Sequence, residues 1–396
     1  MNIKPKIRGF LCTTAHPVGC ARDVKNQINY VEKQGRQSCG PEKVLIIGAS
    51  GGYGLASRIS AAFGYGAATV GVFFERQASG NKTASPGWYK TAAFTDFADS
   101  RGLYSLNING DAFSDSIKQA TCDAIERDLG QVDLVVYSLA APTRQMPDDS
   151  IRRSSLKPIG EPFEGKTIDF NSGQLRDIRL EPATQDEVLD TICVMGGEDW
   201  ELWIQALKAR NLLANGCVTT NYTYLGSEVT WPIYHHGTIG KAKEDLDRAQ
   251  ASLVEPMADI DGKAYVAVMK GLVTQAASAI PGMSIYLSLL FKAMKEAGTH
   301  EGCIEQTTRL YSSQLYGKEE PRLDENGRIR MDEFELAQEI QSFIADNWSN
   351  VDEDNLGSLT DFAGYRRAFL ELHGFEVEGA DYDEKVEIEV ALRLEV

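Results

Sequence analysis

Short, continuous apolar runs separate amphipathic segments along the first third of the chain. The runs that predict strands cover residues 44–48, 67–75, 103–111 and 132–142, of which 103–111 also carries polar residues, and the segments of helical spacing cover 55–64 and 115–130. Runs that are apolar throughout, rather than at alternate positions, are typical of strands buried on both faces. Strands that alternate with helices through short connections predict a parallel, doubly wound α/β sheet.

The pattern changes after the fourth run. Residues 143–186 are polar and punctuated by proline and glycine, with the short runs "KTIDF" and "LRDIRL" predicting a hairpin. Such a long interruption of an α/β unit indicates a functional flap. A helical stretch (187–215, broken at Gly196-Gly197), a strand (217–226) and an acidic, helical tail follow. We therefore predict one domain over 1–396, with an arm (1–40), an insertion over the substrate site (143–186) and a helical extension (297–396).

Composition and charge narrow the function classes. The 396 residues are 43% hydrophobic and carry a net charge of −17, which argues against broad nucleic-acid binding. The seven cysteines are scattered without a C-x-x-C pair, so we expect reduced thiols in the cytoplasm and no metal site. No signal peptide is visible, and the longest apolar run is about half of the roughly 20 residues that a membrane span needs.

A glycine-dense turn, "GASGGYG", joins the first predicted strand to the first predicted helix. Gly48, Gly52 and Gly54 form G-x-x-x-G-x-G instead of the common G-x-G-x-x-G fingerprint. Glycines allow the backbone to approach a pyrophosphate, and the following helix offers free N–H groups. The turn therefore predicts a dinucleotide site.

An acid at the end of the second strand bears on which dinucleotide binds. Glu75 is positioned to accept hydrogen bonds from the adenosine ribose and to repel a 2′-phosphate, which favours NADH over NADPH. The neighbouring Arg76 could accommodate that phosphate, so the choice stays open at this point. Asp111-Ala112 and Leu139-Ala140 follow the next two strands, where adenine and ribose contacts arise.

The segment "TNYTYLGSEVTWPIYHHGTIGKAKEDLDRA" carries the candidate chemistry. A tyrosine becomes a usable proton or hydrogen-bond donor when an ammonium and a ribose hydroxyl stabilise its anion. Tyr234 with a following lysine resembles the arrangement of short-chain dehydrogenases and reductases. Seven helical residues advance about 700°, which puts Lys241 on the face of Tyr234, whereas Lys243 requires an irregular backbone between them. Both lysines remain candidates.

The surroundings of Tyr234 favour reduction of a C=C bond. Carbonyl-reducing members of that superfamily place a serine thirteen residues before the tyrosine, where this chain has Asn221. Tyr224 lies ten residues before Tyr234 instead. This spacing looks like that of enoyl reductases.

Several unusual stretches resemble one family. The segments "RGFLCTTAHPVGC", "GASGGYG", "TYLGSEVTWPIYHHGTIGKAKEDLD", "LVTQAASAIPGMS" and "LDENGRIRMDEFE" are similar to those of the FabV/TER-type trans-2-enoyl-CoA (or acyl-carrier-protein) reductases. The resemblance implies a Rossmann-type fold, Tyr234 as catalytic donor, Tyr224 as a substrate contact, and Lys243 rather than Lys241 beside the cofactor. It also implies cofactor contacts at Gly48, Ala49, Ser50, Gly51, Gly52, Tyr53, Phe74, Glu75, Asp111, Ala112, Leu139, Ala140, Leu272, Val273 and Thr274.

From these residues we expect NADH-dependent reduction of the C2=C3 bond of enoyl-CoA or enoyl-acyl-carrier protein in fatty-acid synthesis. Hydride would reach Cβ, and Tyr234 would stabilise the resulting enolate. The alternatives are a carbonyl-reducing short-chain dehydrogenase and a non-catalytic NADH-sensing protein. We expect the three added segments to cover faces that smaller relatives use for assembly, and we therefore expect a monomer.

Overall fold

The centre of the molecule is one seven-stranded parallel sheet. The computed structural model describes residues 2–9, 11–170, 172–275, 277, 280, 282–383 and 385–396. The strands of the described chain are β1 (Ile7–Arg8), β2 (Leu11–Cys12), β3 (Lys43–Ile47), β4 (Ala68–Phe73), β5 (Ser105–Asn109), β6 (Val132–Tyr137), β7 (Thr143–Gln145), β8 (Ile151–Arg153), β9 (Phe163–Ile168), β10 (Leu175–Leu180), β11 (Leu213–Thr223), β12 (Lys263–Val268) and β13 (Ile329–Arg330). The large sheet has the order β13-β12-β11-β6-β3-β4-β5.

Helices cover both faces of this sheet. The α-helices are α1 (Pro17–Lys33), α2 (Gly52–Ile59), α3 (Pro86–Ser100), α4 (Asp115–Asp128), α5 (Gln185–Met195), α6 (Glu198–Ala209), α7 (Thr238–Met257), α8 (Met283–Glu296), α9 (Cys303–Leu310), α10 (Gln338–Trp348), α11 (Leu356–Leu359) and α12 (Phe362–Glu371). Among the described residues, none of the helices has both the length and the apolar character needed to cross a bilayer.

Strand β3, the fifth of the seven in the sheet order, shows why the sheet is doubly wound. Leu45 and Ile47 join the apolar cluster that includes α4, α6 and α7. Val44 and Ile46 point to the opposite face and join the cluster that includes α9. Alternate residues of one strand are thus buried on opposite faces, which confirms the predicted α/β class.

The insertion forms two antiparallel hairpins, β7–β8 and β9–β10, the second of which is the predicted one. Hairpin β9–β10 is attached to α8, because the backbone N–H of Ile168 donates to Ser284 Oγ at 2.9 Å. Its position beside α8 brings it close to the apolar cluster that contains Tyr224.

Several elements differ from the sequence prediction. The arm 1–40 contains α1, and α3 and β12 were not predicted. The helix predicted to reach residue 215 ends at Ala209, and Leu213 already belongs to β11. The tail is only partly helical: β13 joins the large sheet, and no helix is assigned after Glu371 in its described residues.

Candidate active site

The glycine turn lies at the carboxyl end of β3, where ligands bind in open parallel sheets. Gly48 has φ +88°, and a Cβ there would lie 2.2 Å from the carbonyl oxygen of Ser138. A Cβ on Gly54 would lie 2.0 Å from the carbonyl oxygen of Gly48. These two glycines are therefore required by the packing of the protein itself.

The turn is open toward solvent at Gly51. Gly51 has extended backbone, and nothing lies within 4 Å of the position of its Cβ. Helix α2 begins at Gly52 without a side-chain cap, so its first N–H groups remain available. An uncapped helix N-terminus behind an open glycine turn fits the pyrophosphate of a dinucleotide.

Glu75 is close to this turn. The hydroxyl of Ser50 donates to Glu75 Oε1 at 2.7 Å. Burial raises the pKa of the Glu75 carboxyl, and the hydrogen bonds that it accepts oppose that shift. The Asn109 side chain accepts from the Glu75 N–H at 2.8 Å and donates to its carbonyl oxygen at 3.0 Å. Phe74 is 78% exposed beside it, so the ring is free to contact a ligand.

The remaining predicted cofactor residues follow the ends of neighbouring strands. Asp111 follows β5, where its carboxylate accepts from the N–H of Phe113 at 3.0 Å, and Ala112 is buried. Leu139 is half-buried and Ala140 exposed after β6. Leu272, Val273 and Thr274 follow β12 after the three residues 269–271, and the Thr274 methyl lies 3.7 Å from where a Cβ of Gly52 would be. The connection from them to α8, through "SAIPGMS", includes residues 276, 278, 279 and 281, which lie outside the described residues.

Two aromatic rings mark the predicted chemical centre. The rings of Tyr224 and Tyr234 pack edge to face, with centroids 4.9 Å apart and an interplanar angle of 71°. The Tyr224 hydroxyl donates to Glu335 Oε1 at 2.8 Å. The Tyr234 hydroxyl has no hydrogen-bond partner within the described chain. Burial raises the pKa of both tyrosines, so both are neutral phenols in the protein alone.

The two candidate lysines have different environments. Helix α7 begins at Thr238, so Tyr234 precedes it, and the helical-face argument for Lys241 is wrong. Lys241 is exposed and forms an ion pair with Glu244 at 2.7 Å. Lys243 points inward and donates to the carbonyl oxygen of Tyr222 at 3.3 Å, and burial lowers the pKa of its ammonium to about 8.

Three further residues join the site without having been predicted: Glu335, Tyr286 and Lys270. Glu335 is fully buried and also accepts from the Tyr286 hydroxyl at 2.5 Å. The only sequence signal for it was its place in the "RMDEFE" stretch, which gives no indication of burial. Asn221 is buried as well, and its amide nitrogen lacks a hydrogen-bond partner in the described chain.

Comparisons with known proteins agree with this geometry. Family profiles match residues 2–80 (NAD(P)H binding domain of trans-2-enoyl-CoA reductase), 82–316 (trans-2-enoyl-CoA reductase catalytic region) and 323–386 (enoyl reductase FAD binding domain). The chain is 55% identical over 394 residues to an enoyl-[acyl-carrier-protein] reductase [NADH] of Methylobacillus flagellatus, covering 99% of both chains. A protein of the same description from Edwardsiella ictaluri is 53% identical, with 98% of both covered. The crystal structure of Treponema denticola trans-2-enoyl-CoA reductase in complex with NAD is 47% identical, with a TM-score of 0.95 over 99% of this chain and 100% of that one.

The third profile raises the question of a flavin. Helices α10 and α12 of that segment pack on α8, with Ile344, Tyr365 and Phe369 buried in the shared cluster. The Phe369 ring stacks on Phe170 at 4.4 Å between centroids, so a protein side chain occupies its aromatic face. The Phe170–Phe369 stack therefore leaves no room for a flavin ring on that face of Phe369, whereas the glycine turn fits a nicotinamide dinucleotide.

Proposed function

The chain belongs to the trans-2-enoyl-CoA reductase family, and we propose that it reduces the C2=C3 double bond of trans-2-enoyl thioesters with NADH, in fatty-acid synthesis. The observation that carries this function is the edge-to-face pair of Tyr224 and Tyr234 beside an open dinucleotide turn. It is an oxidoreductase whose electron donor is NADH. The bound NADH supplies a hydride for Cβ of the substrate.

The proposed cofactor contacts follow the strand ends. The backbone of residues 48–53 and the N-terminus of α2 would hold the pyrophosphate. Glu75 would accept from the adenosine ribose and disfavour a 2′-phosphate, with Phe74, Asp111-Ala112 and Leu139-Ala140 around the adenosine. Residues 272–274 would face the nicotinamide end, which the proximity of Thr274 to Gly52 supports.

The chemistry requires a donor where negative charge develops. Arrival of hydride at Cβ places charge on the thioester oxygen as an enolate. Tyr234 would donate a hydrogen bond to that oxygen, and the lack of a hydrogen-bond partner for its hydroxyl among the described residues supports this role. Cα would then take a proton from Tyr234 or from water, which converts the enolate into the saturated thioester. The Lys243 ammonium would orient the cofactor ribose and lower the cost of the anion.

The substrate side involves Tyr224 and the insertion. We propose that Tyr224 contacts the substrate and that residues 143–186 cover it, as the attachment of β9 to α8 supports. The acyl carrier would be coenzyme A or acyl-carrier protein, and relatives of the chain are named for the protein carrier. We further propose a cytoplasmic monomer; the seven free cysteines suit a reducing compartment.

The two alternatives have less support. A carbonyl reductase of this superfamily uses a serine where the buried Asn221 lies. A non-catalytic sensor of NADH would not need the tyrosine pair.

In the test, the protein is mixed with either crotonyl-CoA or acetoacetyl-CoA, in each case with NADH or with NADPH. We expect rapid loss of NADH absorbance with crotonyl-CoA only. The Tyr234→Phe variant should lose roughly a hundredfold or more of kcat, the usual contribution of a positioned acid, and bind NADH as before. The matched control is Tyr316→Phe, which removes another buried hydroxyl without a partner in the described chain. Full turnover by Tyr234→Phe would overturn the mechanism, and NADH binding without any turnover would favour the sensor.

A further inference from the structure

A buried carboxylate connects the two sides of the site. Glu335 has no solvent-exposed surface and lies in the segment that follows β13. Its Oε1 accepts from the hydroxyls of Tyr224 at 2.8 Å and Tyr286 at 2.5 Å. Its Oε2 accepts from the N–H of Gly271 at 2.5 Å. Three donors therefore converge on two carboxylate oxygens.

Each of these donors belongs to a different part of the site. Tyr224 packs against Tyr234, and Tyr286 lies on α8. Gly271 directly precedes the three residues proposed to contact the nicotinamide end of the cofactor. Glu335 thus fixes the relative positions of Tyr224 on the substrate side, Gly271 on the cofactor side and Tyr286 on α8.

The neighbouring backbone continues this connection to the glycine turn. The Lys270 ammonium is buried and donates to the carbonyl oxygens of Gly271 at 2.9 Å and Glu301 at 3.2 Å. The Tyr53 hydroxyl donates to the carbonyl oxygen of Lys270 at 3.2 Å. Burial raises the pKa of the Glu335 carboxyl, and the Lys270 ammonium and the three donors oppose that shift by favouring the carboxylate.

The two tyrosines differ in the group to which each phenol O–H is directed, and this difference distinguishes their roles. A phenol has a single O–H donor. Tyr224 directs its donor to Glu335 and so presents only lone pairs to the rest of the site. Tyr234 keeps its donor, since its hydroxyl has no partner in the described residues.

We propose that Glu335 is a positioning residue of the reductase site: it orients Tyr224 and the 271–274 segment together and leaves Tyr234 as the donor of the tyrosine pair. The inference rests on the proposed function. Glu335 acts through Tyr224 and Gly271 and does not itself touch the reacting atoms.

An amide at this position is the diagnostic change. All three partners of Glu335 donate, so the NH₂ group of Glu335→Gln must face a donor on one side. We expect kcat with crotonyl-CoA to fall about ten- to hundredfold, because small misplacements of reacting groups have effects of that size. The KM for crotonyl-CoA should change less than kcat. Hydride transfer should become more rate-limiting, seen as a larger isotope effect with NADH deuterated at C4.

A double-mutant cycle distinguishes the positioning of Tyr224 by Glu335 from a general destabilisation of the site. If Glu335 acts through Tyr224, Glu335→Gln combined with Tyr224→Phe should lose no more than about twofold beyond the worse single variant. Losses of kcat that multiply would overturn the proposal. The matched control is Asp332→Asn, another buried carboxylate, which pairs with Arg330 and should keep wild-type kcat.

Two readouts do not depend on the Glu335 variant's turnover. NADH affinity, followed by fluorescence, should weaken in Glu335→Gln and stay unchanged in Tyr224→Phe, where the hydrogen bond from Gly271 to Glu335 is intact. Unchanged affinity in both variants would contradict the cofactor half of the proposal.

If Glu335→Gln does not fold, Tyr224→Phe is compared with Tyr286→Phe, which removes the other hydroxyl from Oε1. Equal loss of kcat in these two would overturn the specific link to Tyr224. Wild-type enzyme that binds NADH but does not reduce crotonyl-CoA would refute the proposed function instead.

Discussion

Lys241 and Lys243 are two residues apart, yet only one of them points inward. Sequence spacing alone could not choose between them, because the choice depends on where α7 begins. Thr238 is its first residue, which leaves Tyr234 in the preceding turn and Lys243 directed at the end of β11. The predicted cofactor residues do lie after strand ends, and Tyr224 and Tyr234 do lie together, but their roles stay predictions. Glu335 was not predicted, because it comes from a distant segment whose acidic sequence suggests an exposed surface.

Lys243 predicts a pH dependence of cofactor binding. Its pKa is lowered to about 8, so the ammonium is present below that pH and lost above it. We expect kcat/KM for NADH to fall as pH rises through about 8. In Lys243→Met, kcat/KM for NADH should be lower at all pH values by on the order of tenfold, the size of one charge-assisted hydrogen bond. The variant should also lack the fall in kcat/KM near pH 8. The control Lys241→Met should retain the wild-type profile; an unchanged profile in Lys243→Met would contradict the assignment.

Gly51 is the cleanest probe of the dinucleotide turn. Gly48 and Gly54 are required by backbone packing, and Gly52 has φ +52°, so substitution there also disturbs folding. An alanine methyl at Gly51 enters open space without strain in the protein alone. We expect Gly51→Ala to weaken NADH binding by about tenfold or more, the equivalent of one to two lost hydrogen bonds, with an unchanged melting temperature. Gly357→Ala, also facing open space, is the control, and equal NADH affinity in both variants would mean that the turn does not approach the cofactor.

At the scale of elements, periodicity predicted β3 to β6, α4 and the β9–β10 hairpin near their observed bounds. It missed α3 because that helix is buried on most sides, between α1 and the C-terminal residues, and shows little amphipathic pattern. It missed β13 because two residues carry no period. Segments whose conformation is set mainly by tertiary contacts show no periodic pattern in the local sequence.

The attachment of the β9–β10 hairpin to α8 predicts an effect on substrate affinity. Ser284→Ala removes the acceptor of the buried Ile168 N–H, a loss of about 1–3 kcal/mol in local stability. We expect a several-fold rise in KM for crotonyl-CoA with a smaller change in kcat. Ser288→Ala is the control, because that hydroxyl donates only within α8, to the carbonyl oxygen of Ser284 at 2.6 Å. Identical KM values in the two variants would argue against a covering role for the hairpin.

At the scale of the whole molecule, residues from the far end of the chain support the cofactor side. Trp88 Nε1 donates to the carbonyl oxygen of Val390 at 2.9 Å, and the Tyr89 hydroxyl donates to that of Ile388 at 2.7 Å. The N–H of Asn109 donates to the carbonyl oxygen of Val396 at 3.2 Å. Asn109 is also the residue that holds the backbone of Glu75, so the C-terminal residues are linked to the adenosine side.

Removal of residues 388–396 should therefore weaken NADH binding as well as stability. We expect the dissociation constant to rise about three- to tenfold, the effect of losing roughly one hydrogen bond, and the melting temperature to fall. Arg393→Ala keeps the backbone contacts and removes an exposed ion pair with Asp99 and one long side-chain hydrogen bond to the Ser105 carbonyl oxygen at 3.3 Å, so it should stay close to wild type. A truncated chain with wild-type NADH affinity would contradict this link.

The transferred hydride can be followed from NADH to the product. NADH deuterated at the transferred C4 position is mixed with crotonyl-CoA and the enzyme, and the butyryl-CoA formed is analysed by mass spectrometry and NMR. We predict one deuterium per product molecule, at C3, and almost no product with Tyr234→Phe. Absence of saturated product, or deuterium anywhere other than C3, would contradict it.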